Sequence, residues 1–292
     1  NIFMTFRPVK VEKLYLFNRQ RLGFQWETDY GFSTQIQLNT ESHRPLGKLY
    51  YERMDGSFVD KVRMTSVTLG FDYRPGQSYI NSKQRRFEVN LDAPQFTLSH
   101  TIGRKNVLGG QFSYNLTEFS AYKRIWLGSW GKFDMRLKAG AQWNKVPYPL
   151  LIMPRSNLGY IMEDETFRLI NNMEFLNDRM ASLEISWDFN GKIFNRIPLI
   201  KKLKWREYIG INTMWGMLTD NNNPYLNATD NVLYKFPKGC YIMDSKKPYV
   251  EAVVGIHNIF KILHVEYIRR LTYIDLPTSQ KWGIRFMFRA TF

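Results

Sequence analysis

The sequence predicts an all-β fold, a transmembrane antiparallel β-barrel, and three observations point to it. The final segment alternates, with Ile284, Phe286, Phe288, Ala290 and Phe292 on one face and Gly283, Arg285, Met287, Arg289 and Thr291 on the other. A strand with an oily outside and a charged inside is what a membrane-crossing barrel needs. No run of about 18 apolar residues exists, so no transmembrane helix is expected. A mean hydropathy of −0.39 does not oppose a barrel, because only alternate residues of its strands meet lipid. The 292 residues include 8 Trp, 17 Tyr and 21 Phe, rings that favour the membrane–water boundary. A soluble all-β protein with a large aromatic core would share this composition, and a soluble sheet with one wet face would also alternate.

Read in order, the chain repeats the same period of two. From Leu22 the even positions Leu22, Phe24, Trp26, Tyr30, Phe32, Ile36 and Leu38 are largely apolar, and the odd ones are largely polar. The phase holds through Gly31, so 20–40 reads as one long strand. Strands follow around Val67–Tyr73, Phe96–Ile102, Phe133–Trp143, Ala181–Phe189, Ile209–Trp215, Val250–Ile256, Leu263–Leu271 and 281–292. Weaker candidates are 47–54, 111–127 and 166–176. The total is about 12 strands, as part of a barrel of about 14–16.

If the last strand ends on the periplasmic side, counting backward assigns the connections. Residues 217–248 form a long extracellular loop. Residues 191–204 form a periplasmic turn, and Pro198 near its middle suits the first turn of a short helix. The turn Gly128-Ser129-Trp130-Gly131 is very short, as periplasmic turns are. Parity then makes 147–178 a single extracellular loop, partly folded into the lumen. A competing count makes 166–176 a full strand and puts 144–165 in the periplasm. Either way, residues 1–292 read as one barrel domain.

The formal net charge is +15, but the cations are spread over most strands and loops. No nucleic-acid partner is expected; lipid phosphates or a charged lumen account for the excess better. Cys240 stands alone, so no disulfide staples the chain. Arg136, Lys138, Glu184, Asp188, Glu251, Arg285 and Arg289 fall on lumen-facing positions. They read either as a basic path for anions or as charges paired across neighbouring walls. His264 and Glu266 share a lumen-facing phase, as a catalytic or metal pair would or as a solvated polar pair would. No cluster has metal-ligand spacing and no phosphate loop occurs, so no cofactor, no metal and no catalysis are expected. Asn115-Leu116-Thr117 and Asn227-Ala228-Thr229 match a glycosylation sequon, a motif common by chance.

Several phrases resemble a known family: FDYRPGQSYI (71–80), WNKVPYPLL (143–151), RLINNMEFLND (168–178), FNRIPLIKKLKWRE (194–207) and PYVEAVVGIHNIFKILHVEYIRRLTY (248–273). They are similar, from about residue 65 to the end, to a Bacteroidota outer-membrane family of unknown function. Its members carry a carboxypeptidase-regulatory-like sandwich ahead of a barrel. Such barrels are distantly similar to outer-membrane insertase and two-partner-secretion barrels, which have sixteen strands. In these a long loop tucks into the lumen five strands from the end. The resemblance implies the same layout, with that loop at 147–178. The usual Arg-Gly-Tyr loop tip has only a loose echo in Arg155 and Ser156–Tyr160.

The terminus resembles the signal read by the barrel-assembly machinery: Lys281, Gly283, Phe286, Phe288 and the terminal Phe292. The implied role is non-catalytic: assembly or export of proteins or lipids at the bacterial outer membrane, within a larger complex. The implied partners are membrane lipid, lipopolysaccharide, the assembly machinery and other outer-membrane proteins. A passive channel or surface receptor is the alternative, and an outer-membrane hydrolase a third.

Overall fold

The computed structural model describes residues 12–84, 86–90 and 92–289. Its strands are β1 (Lys13–Glu27), β2 (Phe32–Gly47), β3 (Val62–Tyr73), β4 (Tyr79–Asn81), β5 (Arg86–Glu88), β6 (Gln95–Gly103), β7 (Tyr114–Trp126), β8 (Lys132–Gln142) and β9 (Arg179–Asp188). A short helix α1 (Pro198–Leu203) follows, then β10 (Arg206–Met217), β11 (Tyr249–Ile259), β12 (Leu263–Arg270) and β13 (Trp282–Phe288). Eleven strands form one antiparallel sheet in the order β1-β2-β3-β6-β7-β8-β9-β10-β11-β12-β13, with β4–β5 as a separate hairpin. Strands β1 and β13 are its edges, and among the described residues no ladder joins them.

The sheet turns the usual protein inside out. Apolar outward residues such as Leu22, Phe24 and Val254 are 60–74% exposed, while the inward Glu251 and Arg285 are 0% and 1% exposed. An apolar band this wide far exceeds the patches that water-soluble monomers tolerate. The 11 residues of β8, tilted as barrel strands are, rise about 28 Å. That height matches the hydrocarbon core of a bilayer. All eight tryptophans lie within two residues of a strand end, where a membrane boundary would place them.

Three expectations need correction. Residues 20–40 are two strands, β1 and β2, joined by a tight turn at 28–31. In this hairpin Trp26 faces Thr34 and Leu22 faces Leu38, so every facing pair has the same parity. The alternation therefore passes through the turn without a phase change, and period alone could not reveal it. Gly31 marks the reversal: its φ is +76° and a side chain there would collide with the Arg74 carbonyl. Of the candidate 47–54, Gly47 ends β2 and the rest contributes only isolated bridges, Glu52 to Phe58 and Arg53 to Tyr234. Residues 166–176 are not a strand either; they belong to the irregular connection between β8 and β9.

The connections segregate. One end of the sheet, the loop end, carries 48–61, 104–113, 143–178, 218–248 and 271–281. The other, the turn end, carries the short links at 28–31, 127–131 and 260–262, together with the β4–β5 excursion and the 189–205 link that holds α1. The largest apolar cluster lies at the loop end. It draws Leu49, Tyr51, Tyr148, Leu176, Leu218 and Tyr234 from three connections. Tyr51 stacks on Tyr234 at 5.7–6.1 Å from its tyrosine neighbours. Burial pushes the Tyr148 and Tyr51 hydroxyls well above their ordinary range.

Candidate functional site

The 143–178 connection enters the curl of the sheet and fills it at the loop end. Its irregular backbone leaves many amides and carbonyls needing partners, and such groups are costly to bury unpaired. The inward side chains of the strands supply them. The Glu251 carboxylate on β11 accepts from the backbone N–H of Arg168 (2.9 Å) and of Leu169 (3.2 Å). It also accepts from Asn212 Nδ2 (2.9 Å) and the Tyr249 hydroxyl (2.8 Å). Arg285 on β13 donates from Nη2 to the Arg168 carbonyl at 2.6 Å.

A second anchor is an ion pair removed from solvent. Arg270 Nη2 meets Glu174 Oε1 at 2.7 Å, and both side chains are 0% exposed. Glu174 also accepts from the Asn171 N–H (2.8 Å). The Arg270 guanidinium lies 4.9 Å from the Tyr249 ring centroid. At the root of the loop, Asp178 accepts from Asn222 Nδ2 (2.9 Å) and from the hydroxyl and N–H of Thr219. Asp178 thereby fastens 143–178 to the 218–248 connection.

The loop also touches both edges of the sheet. Phe286 of β13 donates its N–H to the Tyr160 carbonyl (2.8 Å) and accepts from the Met162 N–H (2.7 Å). On the other edge, Lys13 of β1 donates from Nζ to the carbonyls of Met173 (3.3 Å) and Gly239 (2.8 Å). The sheet must therefore curl far enough for one loop to reach β1 and β13.

Toward the turn end the interior opens into a cavity of about 310 Å³ lined by charged groups of both signs. Glu165 at the loop's inner bend binds Lys138 (2.7 Å) and Arg136 (3.4 Å), and Arg136 also reaches Glu184 (3.5 Å). Glu266 faces His257 Nε2 at 3.2 Å and Arg168 Nε at 3.7 Å. With a balanced set of charges on its walls, the cavity suits water and small polar solutes better than apolar ones.

A family model for the C-terminal domain of a family of unknown function (DUF5686) matches residues 4–229. The chain belongs to the DUF5686 C-terminal domain family. The match begins earlier than the phrases that carried the resemblance, and the phrase at 248–273 lies beyond it. Among solved structures, the crystal structure of BamA from Haemophilus ducreyi lacking POTRA domains 1–3 has a similar fold, with a TM-score of 0.55 and 12% identity. The likeness covers 92% of this chain and 55% of that one, so the chain spans about half the length of the structure it matches. No curated protein matches.

In this DUF5686 domain the sequence-predicted residues fall as follows. Arg136, Lys138 and Glu184 meet around Glu165, whereas Glu251 and Arg285 serve the loop backbone. Asp188 lines the cavity, and Arg289 pairs with Asp164 (2.9 Å) at an exposed position. The histidine expected beside Glu266 is displaced: His264 packs on His257 at 4.4 Å between ring centroids, and it is His257 that faces Glu266. Gly283 is buried, and a side chain there would meet Arg285 Nη1 at 2.8 Å and Leu169 at 3.1 Å. Lys281 and Phe288 are exposed at the two ends of β13. Phe292 lies outside the described residues.

Sequence reasoning missed Arg168, Glu174 and Arg270 as a group. Their partners are about a hundred residues apart in the chain, and no local spacing announces such pairs. Arg270 lies directly across from Glu251 on β11, so the sequence register offers a local partner and hides the pairing with Glu174 that the fold makes.

Proposed function

We propose that this chain is the membrane-embedded part of a Bacteroidota outer-membrane protein. It takes part, without catalysis and within a larger complex, in the assembly or export of proteins or lipids at that membrane. One observation carries the reading: the space inside the curl is occupied by a loop held through solvent-free charges such as Arg270–Glu174. A filled interior leaves the wall, the two edges and the two ends as the working surfaces. The fold likeness to BamA and the apolar band support an outer-membrane location. In the orientation that follows, the loop end faces outward and the turn end faces the periplasm. Membrane lipid and lipopolysaccharide would cover the wall, and the assembly machinery would read Lys281, Gly283, Phe286, Phe288 and Phe292.

Depletion of the protein tests this reading. Other barrels, or an outer-leaflet lipid, should fall in the membrane while their messenger levels hold. Unchanged membrane composition would sink the proposal. The charged cavity near the turn end favours a second reading, a channel or receptor. A steady open conductance from the purified chain in a planar bilayer would put that reading first.

A further inference from the structure

We propose that the turn end carries a docking surface for the phosphate headgroups of anionic phospholipids, built on α1 and the turns beside it. The inference rests on the membrane-barrel reading and adds to it a specific lipid class and place.

Between Phe189 and Arg206 the sequence holds six cations, Lys192, Arg196, Lys201, Lys202, Lys204 and Arg206, and no carboxylate. Among the described residues no ion pair involves Arg196, Lys201, Lys202 or Lys204, and all four are exposed. Elsewhere in the molecule cations are mostly paired or turned into the curl, so this is a concentration of unmatched positive charge.

The same elements project exposed apolar side chains. Leu199 and Phe260 are each 79% exposed, and Ile193, Ile197, Leu203 and Ile262 are also exposed. Leu199 and Leu203 are four apart on α1 and share one face, with Lys201 opposite and Lys202 at the flank. An apolar stripe bordered by lysines is the pattern of a helix that lies in a bilayer interface. Phe260 sits at φ +51°, a backbone region uncommon for a bulky residue, which fits a position occupied for what its ring does outside the protein.

A helix of six residues does not hold itself; the neighbouring turns hold it. Asn258 Nδ2 donates to the Lys204 carbonyl at 2.7 Å. Lys192 Nζ reaches Ser129 Oγ at 2.9 Å and lies 5.2 Å from the Trp130 ring centroid. Trp187 Nε1 donates to the Trp130 carbonyl at 2.8 Å. Trp26, Trp126, Trp130, Trp187 and Trp205 all lie at this end. The patch is thus continuous with the aromatic border of the lipid-facing wall. Lipid is therefore its occupant: acyl chains meet Leu199, Leu203 and Phe260, and phosphates meet the lysines.

The test uses the full chain folded into phosphatidylethanolamine vesicles doped with acyl-brominated phosphatidylglycerol or acyl-brominated phosphatidylcholine. Trp143, Trp215 and Trp282 are replaced by Phe so that only turn-end tryptophans report. Quenching gives the relative affinity for the anionic lipid. The parent protein should prefer phosphatidylglycerol. The triple variant Lys201→Gln, Lys202→Gln, Lys204→Gln should lower that preference about tenfold. The triple variant Arg104→Gln, Lys105→Gln, Lys246→Gln, which removes the same charge at the loop end, should keep it. Insertion is read separately, by heat-dependent gel mobility and protection from trypsin. A chain that never inserts overturns both the barrel reading and this site. A chain that inserts but shows no preference, or loses it equally in both triple variants, overturns the site alone and leaves the patch to a periplasmic protein.

Discussion

The strands of the wall and the 143–178 loop have exchanged their usual environments. In most proteins strands bury their apolar side chains and irregular loops run over the surface. Here the strands expose Leu, Ile, Val and Phe, while the loop contains Leu169, Phe175 and Leu176 at 0% exposure. The difference teaches where the energy resides. On the membrane reading proposed above, the wall gains its stability when hydrocarbon covers it, so it depends on the medium. The loop gains stability from charge pairs and amide–carboxylate bonds inside the protein, so it should hold in any medium that keeps the curl.

The strongest way to break this contrast is at Arg270–Glu174. Glu174→Gln leaves a buried guanidinium without its carboxylate and should cost about 3–5 kcal/mol, read as the shift of the urea midpoint in micelles. An unchanged midpoint would mean the pair is not solvent-free. Next comes the wall. Leu69→Arg places a cation on the apolar face of β3 and should cost about 2–4 kcal/mol in vesicles near the bilayer midplane. A neutral result would show that lipid does not contact that face. Glu251→Ala removes the acceptor of the Arg168 and Leu169 amides and should cost about 1–3 kcal/mol. It should also open trypsin cleavage after Arg168 while the strands stay protected; cleavage in the strands first would reverse the ranking of the two regions.

Two smaller effects sharpen the picture at the loop end. Burial pushes the Cys240 thiol up to about 11, partly offset by Lys13. Its alkylation at pH 8 should therefore run about a hundredfold slower than that of an ordinary thiol, and a rate near ordinary would show that the apolar cluster at the loop end is open in solution. The Asp230 carboxyl would be raised by its partial burial, but Lys145 at 2.6 Å and backbone amides hold it below the usual range. A depressed acid stabilises the fold above its unfolded value and loses that contribution as pH falls through the folded value. Lys145→Met should therefore remove about 1 kcal/mol or less at pH 7 and nothing at pH 2, as measured by parallel unfolding curves.

Much of the wall was legible because a barrel strand writes its two environments into alternate residues. The outward rows in β3, β8, β9 and β10 read directly from the sequence. The β1–β2 hairpin did not, since same-parity pairing across 28–31 preserves the rhythm through a reversal of direction. The inward charges were legible as inward, but their roles were not. Glu251 and Arg285 face the main chain of a loop, and a backbone amide leaves no mark in the sequence of the residue that carries it. The tyrosine cluster of Tyr51, Tyr148 and Tyr234 was invisible for a related reason: its members come from three separate connections and share no period.

The hydrogen bonds between Phe286 and the 160–162 stretch set an order of events during maturation. The last strand cannot seat its outer edge until a segment made more than a hundred residues earlier has already settled within the curl. Contacts that distant in sequence form slowly, which makes the seating of β13 on the loop a late step. A chain released before that moment would still present a bare strand margin, the feature by which unfinished sheets recruit wrong neighbours.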